Sequence, residues 1–193
     1  MESGWFYELR HWWSGLSETE VEELWRRALP LSEVVYAAPL YRRPRKIWGI
    51  GLNYVEHAGD LSETAPADEP ASFMRPDTTI IGPGEEIVLP EQLARVTRDA
   101  EPGLVIQSEA KDVPEEEAPL VVTGLTTGAD LPVEDILRKN PRYLTRAKGF
   151  DTFFSFCSQL VTLDEVVEVE DLAVATVLNS ETRRDNVVSK MTF

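Results

Sequence analysis

Cysteine is nearly missing from this chain. Cys157 is the single one in 193 residues, so no disulfide can form within it. It sits in the apolar segment Phe153-Phe154-Ser155-Phe156-Cys157, where a thiol is expected to be buried and inert. Long apolar runs are missing too. None approaches the ~20 residues that a membrane helix needs, and no membrane association is expected. Basic residues are few: 19 Lys and Arg face 34 Asp and Glu, for a net charge of −15. That balance excludes nucleic-acid binding, which requires a basic face for phosphates. Lysine is the scarcer base, at 5 against 14 Arg. A strongly acidic, lysine-poor surface resembles that of salt-adapted proteins, in which salt screens self-repulsion. An ordinary acidic cytosolic protein fits equally well. The N-terminal Met1-Glu2-Ser3-Gly4 lacks the basic-then-apolar pattern of a signal peptide, and a cytoplasmic location is the resulting expectation. There is no internal repeat and no low-complexity tract.

At 42% apolar residues, the chain is long enough for one sizeable domain. Residues 1–45 form a lead-in rich in aromatics: Trp5, Phe6, Trp12 and Trp13. Ser17 through Glu20 reads as a capping box opening a helix, with Val21, Leu24, Trp25 and Leu29 as its apolar stripe and Pro30 as its stop. The aromatics are expected to pack on the main domain; the Glu-rich helix would be repelled by anionic lipid. From Lys46 onward the pattern is short strands cut by Pro and Gly. Strands are expected at Lys46–Gly51, Ala71–Met74, Thr78–Ile81, Glu86–Leu89, Val96–Ile106, Leu120–Thr127, Leu163–Val169 and Leu172–Leu178. Short helices are expected at Asn53–Leu61 and from Pro114, and Ser62–Glu69 reads as a loop and candidate lid. The predicted class is therefore mainly β with short helices.

The chemistry concentrates at Asp99 and Glu101, two residues apart on an expected strand and so on one face. Asp130 arrives from the end of the next apolar run. Three converging carboxylates repel one another unless a cation lies among them, and all-oxygen ligation suits Mg²⁺ or Mn²⁺. Spacing alone leaves solvated charges at a strand end as the commoner alternative in so acidic a chain.

A series of blocks narrows the choice. Lys46-Ile-Trp-Gly-Ile-Gly-Leu-Asn-Tyr-Val-Glu-His57-Ala-Gly-Asp60 resembles the opening signature of the fumarylacetoacetate hydrolase family, a strand followed by G-x-N-Y-x-x-H. Pro70-Ala-Ser-Phe-Met-Arg-Pro76 resembles its P-x-x-F-x-K-P, and Ile80-Ile-Gly-Pro-Gly84 and Ile87-Val-Leu-Pro90 follow in order. Asp99-Ala-Glu101 falls at its E-x-E. Gly124-Leu-Thr-Thr-Gly-Ala-Asp130 resembles G-Y-T-x-x-N-D, and Arg146-Ala-Lys-Gly-Phe-Asp-Thr-Phe153 resembles R-x-K-S-F-D-T-F. Asn179-Ser-Glu-Thr-Arg-Arg184 and Ser189-Lys-Met-Thr-Phe193 resemble N-G-E-x-R-Q and S-x-M-I-F.

The resemblance covers 46–193 and implies a β-sandwich roll, a homodimer, and a metal site of Mg²⁺ or Mn²⁺ on Asp99, Glu101 and Asp130. It implies catalytic roles for His57 and Asp60, as base and orienting carboxylate, and for Lys148, as the cation that stabilises developing negative charge. Arg75, Asp151 and Thr152 become candidate substrate contacts. The implied activity is a metal-dependent hydrolase or decarboxylase. It would cleave a C–C bond in a 2-oxo acid with a β-carbonyl, such as an acylpyruvate or oxaloacetate, through a stabilised enolate. An isomerase of unsaturated dicarboxylic acids uses the same enolate. Several positions depart from the family. Asp99 and Asp60 are shorter than the usual Glu, Arg75 replaces a lysine, and Pro102 follows the second ligand. Glu134 and Leu137 stand where Arg and Gln are usual. The family also continues past S-x-M-I-F with a G-T-P-x-G-V-G segment, so residues 46–193 are expected to be a partial domain. These departures support a rival reading, a non-catalytic relative serving as a ligand-binding or assembly module.

Overall fold

The computed structural model of the protein describes residues 5–37, 46–54 and 66–193. Its strands form three sheets. Strands β1 (Ile47–Gly51) and β2 (Ala71–Arg75) pair antiparallel. The largest sheet contains β3 (Ile80–Ile81), β4 (Asp99–Ile106), β5 (Val122–Asp130), β6 (Phe154–Phe156) and β7 (Val161–Thr162). Its order is β3-β6-β5-β4, with β7 also on β5. β5 runs antiparallel to β4, β6 and β7, while β3 and β6 are parallel. β8 (Ala173–Leu178) and β9 (Glu181–Val187) form a hairpin. The helices are short: α1 (Trp5–Ser14), α2 (Glu18–Trp25), α3 (Glu134–Lys139) and α4 (Leu144–Lys148). The expected mainly β class with short helices is what is found.

Local chemistry explains most boundaries. Pro102 lies within β4, opposite Thr127, and β4 is the last strand on the sheet's path. An edge position is where a residue without an N–H can be carried. The hairpin joining β8 to β9 turns on two residues, Asn179 and Ser180, between the paired Leu178 and Glu181. Both have positive φ, 52° and 65°. Such turns suit Asn first and Gly second; the serine is therefore strained. The hairpin is tied to the large sheet by Ala100 N, which donates to Thr176 Oγ1 at 3.1 Å.

Two expected strands are not formed. Glu86–Leu89 is irregular, and Val88 N donates to Thr152 Oγ1 at 2.9 Å instead of to a neighbouring strand. Gly82-Pro83-Gly84 and Pro90 bracket it too closely for a ladder. The stretch Leu163–Val169 becomes two 3-10 turns, Leu163–Glu165 and Val169–Asp171. Its Asp-Glu pairs favour turns, and Val167 is 93% exposed. The expected helix at Asn53–Leu61 and most of the candidate lid lie outside the described residues. The helix expected from Pro114 is a 3-10 segment, Glu115–Val121.

The core is small and sits beside α3 and α4. Leu131, Val133, Ile136, Leu137, Ala147 and Phe153 are buried together, with Ile87, Leu93, Val96, Leu144 and Phe150 against them. In the lead-in, the capping box forms as expected: Ser17 N donates to Glu20 Oε2 at 2.8 Å, and Glu20 N to Ser17 Oγ at 3.4 Å. The expected aromatic packing is only partial. Trp12 and Trp13 meet edge to face at 6.4 Å but remain about half exposed, at 50% and 46%. Arg10 forms a two-pronged ion pair with Asp164 that reaches from α1 to the first 3-10 turn after β7. Cys157 is half-buried rather than buried.

Replacing Ser180 by Gly should relieve the left-handed strain in the turn. We expect stabilisation of about 1 kcal/mol, a rise of roughly 2–4 °C in Tm. Calorimetry of the variant checks this, and an unchanged or lower Tm would contradict the turn geometry.

Candidate active site

Strand register gathers the acidic residues. Asp99 of β4 is directly opposite Asp130 of β5, and Glu101 opposite Gly128. Directly opposed residues share a face, as do residues two apart on a strand. All three carboxylates therefore issue from one side of the β4–β5 pair. Because β5 lies inside the sheet, Asp130 is 2% exposed, while Asp99 and Glu101 are half-buried.

Asp130 is held by two cations. Its carboxylate pairs with Lys148 from the end of α4 and with Arg75 from the end of β2, and both are buried. Arg75 also donates to the carbonyl oxygens of Lys148 and Phe153, the latter at 3.2 Å. Aromatic faces complete the enclosure. Lys148 Nζ lies 4.3 Å from the centre of the Phe73 ring, and the Arg75 guanidinium 5.7 Å from Phe73 and 5.3 Å from Phe154. Gly49 makes room for this arrangement, since a Cβ there would stand 2.2 Å from the Phe73 ring.

Burial pushes the Arg75 guanidinium down to about 10, against the opposing pull of Glu101. Burial likewise pushes the Lys148 ammonium below the ordinary lysine range. Glu101 and Asp99 oppose that shift, and Arg75 adds to it. Tyr54 also belongs here. Its hydroxyl is buried without a hydrogen-bond partner among the described residues, and burial plus the Glu101 charge raise its pKa. Sequence reasoning assigns Tyr54 no role; its place in the G-x-N-Y block is the available signal.

The donor set suits a hard divalent ion in its chemistry and in its register. Asp130 and Asp99, however, are engaged with cations of the chain. Among the described residues, no three His, Cys, Asp or Glu side chains stand close enough to hold an ion. Asp130 faces its two cations, and Asp99 Oδ1 lies 3.8 Å from Arg184 of β9.

The remaining candidates are dispersed. His57 and Asp60 lie outside the described residues. Asp151 is exposed, and Thr152, with φ of 67°, spends its hydroxyl on Val88 N. Arg75 is enclosed by Asp130 and the two carbonyls. None of Arg75, Asp151 and Thr152 borders the cavity of about 350 Å³ that Asp99 and Lys148 line. That cavity is also bordered by Glu134 and Leu137, the two positions that depart from the family pattern. Leu137 belongs to the core. Glu134 is buried, and its Oε2 receives Arg95 at 2.8 Å and Arg138 at 3.1 Å. The expected charge reversal is thus offset locally by two arginines.

Comparison with known proteins agrees with the blocks. Residues 46–193 match the family model described as fumarylacetoacetate (FAA) hydrolase C-terminal. Human oxaloacetate tautomerase FAHD2A, mitochondrial, is 33% identical over 166 residues, covering 86% of this chain and 52% of that protein. The structure of 5-carboxymethyl-2-hydroxymuconate delta-isomerase from Mycobacterium smegmatis aligns with TM-score 0.72 at 33% identity, over 85% of this chain and 62% of that one. The 2-hydroxyhepta-2,4-diene-1,7-dioate isomerase from Mycobacterium marinum gives 0.71 at 31%, over 85% and 58%. The chain spans less than two thirds of each.

Replacing Asp130 by Asn leaves Arg75 and Lys148 buried without their counter-charge. Breaking a buried pair in this way costs about 3–5 kcal/mol. Urea unfolding should show a loss of that size. A loss below ~1 kcal/mol would mean that the cluster is open to water.

Proposed function

The chain belongs to the fumarylacetoacetate hydrolase family, and from that premise we propose that it forms and stabilises the enolate of a 2-oxo acid bearing a β-carbonyl. The observation that carries this reading is Lys148: a buried ammonium, depressed in pKa, bordering the same cavity as Asp99. An enolate oxygen formed in that cavity meets a fixed positive charge that need not be reorganised as the charge develops. Phe73 covers the ammonium and limits its access to water. Asp130 holds Nζ in place and Arg75 fixes Asp130 in turn, so both are positioning residues for Lys148. Lowering the ammonium's pKa also makes it a better proton donor to an oxygen anion.

Asp99, Glu101 and Asp130 would hold a Mg²⁺ or Mn²⁺ ion, which supplies Lewis-acid stabilisation of the enolate when bound. To engage such an ion, the three carboxylates must draw together, Asp99 turning from Arg184 and Asp130 sharing its carboxylate with Lys148 and Arg75. His57, oriented by Asp60, is the proposed base for the water that cleaves the C–C bond in an acylpyruvate; oxaloacetate would instead lose CO₂. A second reading, keto–enol or double-bond isomerisation, is supported by the names of the tautomerase and isomerase relatives. Both outcomes pass through the same enolate.

Deuterium exchange at C3 of oxaloacetate, followed by NMR in D₂O with Mg²⁺, tests the shared step. The wild-type chain should accelerate exchange above the buffer rate, and Lys148→Met should remove ~10²-fold or more of that acceleration. No acceleration by the wild type would favour the non-catalytic reading. The pH profile carries a signed expectation. Activity needs the ammonium, whose pKa burial pushes below the ordinary lysine value. The rate should therefore fall on an alkaline limb below that value, and Lys148→Arg should shift the limb upward. A limb at the ordinary lysine value would remove Lys148 from the mechanism.

A further inference from the structure

The lining of the cavity beside Lys148 carries an unusual charge for this chain. Four cations border the cavity, Arg95, Arg138, Lys148 and Arg184, against two carboxylates, Asp99 and Glu134. In a protein of net charge −15, this is a local positive surface in a concave site. Lys148 is committed to Asp130. The three arginines belong to different parts of the fold: the segment before β4, the end of α3, and β9.

Arg95 and Arg138 are organised for binding. Both guanidinium groups reach the same oxygen of the buried Glu134, at 2.8 and 3.1 Å. The backbone around Arg95 is fixed as well. Asp135 Oδ2 accepts from Ala94 N at 2.7 Å and from Arg95 N at 2.9 Å, and Glu134 N donates to Arg95 O at 3.1 Å. Each arginine side chain nonetheless remains more than half exposed, at 58% and 64%. A guanidinium has five N–H donors in a planar fork. Holding one nitrogen of each on Glu134 orders the fork and leaves other donors for a ligand. Arg184 adds a third guanidinium, 3.8 Å from Asp99 and 49% exposed.

We infer that Arg138 and Arg184, with Arg95 ordered by Glu134, form an anion subsite for the second carboxylate of a dicarboxylic substrate whose reacting end lies at Asp99 and Lys148. The substrate class this selects is a short 2-oxo dicarboxylate rather than a neutral-tailed acylpyruvate. Glu134 and Asp135 are positioning residues: they set the arginines and do not meet the ligand. The inference takes its reacting end from the proposed enolate chemistry, but its binding part is separately measurable.

Succinate and butyrate, which share four carbons and differ by one carboxylate, are the probes. Calorimetric titration of the wild-type chain at fixed ionic strength should show succinate binding about tenfold more tightly than butyrate, the scale of one charge-assisted hydrogen bond. Arg184→Gln should remove that preference, and Arg138→Gln should reduce it. Should Arg138→Gln unsettle Glu134 and misfold, Arg184→Gln on the half-exposed hairpin still decides the matter. Equal affinity for the two probes, or a preference unchanged in Arg184→Gln, overturns the subsite. Retained discrimination with no C3 exchange on oxaloacetate would uphold the subsite and sink the enolate reading instead.

Discussion

The pairing of Asp130 with Arg75 and Lys148 is the constraint on which the rest of this structure depends. Each partner comes from a different unit. Asp130 ends the inner strand β5, Arg75 ends β2 of the separate two-stranded sheet, and Lys148 ends α4. The cluster therefore fixes how the small sheet and α4 approach the large one. Arg75 reinforces this by donating to the carbonyls of Lys148 and Phe153. The apolar core around Val133, Ala147 and Phe153 is its neighbour in the chain. Three buried ionised groups are costly to desolvate, and only mutual pairing makes them tolerable.

The same cluster sets the electrostatics of the site. Asp99, Glu101 and Asp130 bring three negative charges to one face of β4 and β5, and Arg75 and Lys148 return two. The residual negative charge is small enough to coexist with burial. The arginines around Glu134 add positive charge to the lining of the cavity. A chain that is strongly acidic in total thus concentrates four cations around one cavity. For the proposed enolate, cations placed in advance need no reorganisation as charge develops.

Much of this was legible in the sequence, for reasons of local geometry. The i, i+2 spacing of Asp99 and Glu101 predicted a shared face, and the β4–β5 register bears that out. The Ser17–Glu20 box and the edge position of Pro102 follow from single-residue chemistry. What could not be read were the long-range partners. Nothing in the local pattern says that Arg75 would turn inward to Asp130 rather than toward a substrate. Nor does it say that Glu134 would be met by Arg95 from another segment. The strand expected at Leu163–Val169 failed because apolar residues interleaved with Asp-Glu pairs can also form turns when no neighbouring strand offers a ladder. Helices α3 and α4 are only six and five residues long, too short for periodicity to register.

The most direct test of this account is a double-mutant cycle between positions 130 and 148, read by urea unfolding. If Asp130 and Lys148 are mutually dependent, Asp130→Asn and Lys148→Met together should cost less than the sum of the two single changes. The shortfall should be about 2–3 kcal/mol, because removing both leaves one fewer uncompensated buried charge. Additive losses, within about 0.5 kcal/mol, would show that the two groups do not depend on each other and would contradict the account.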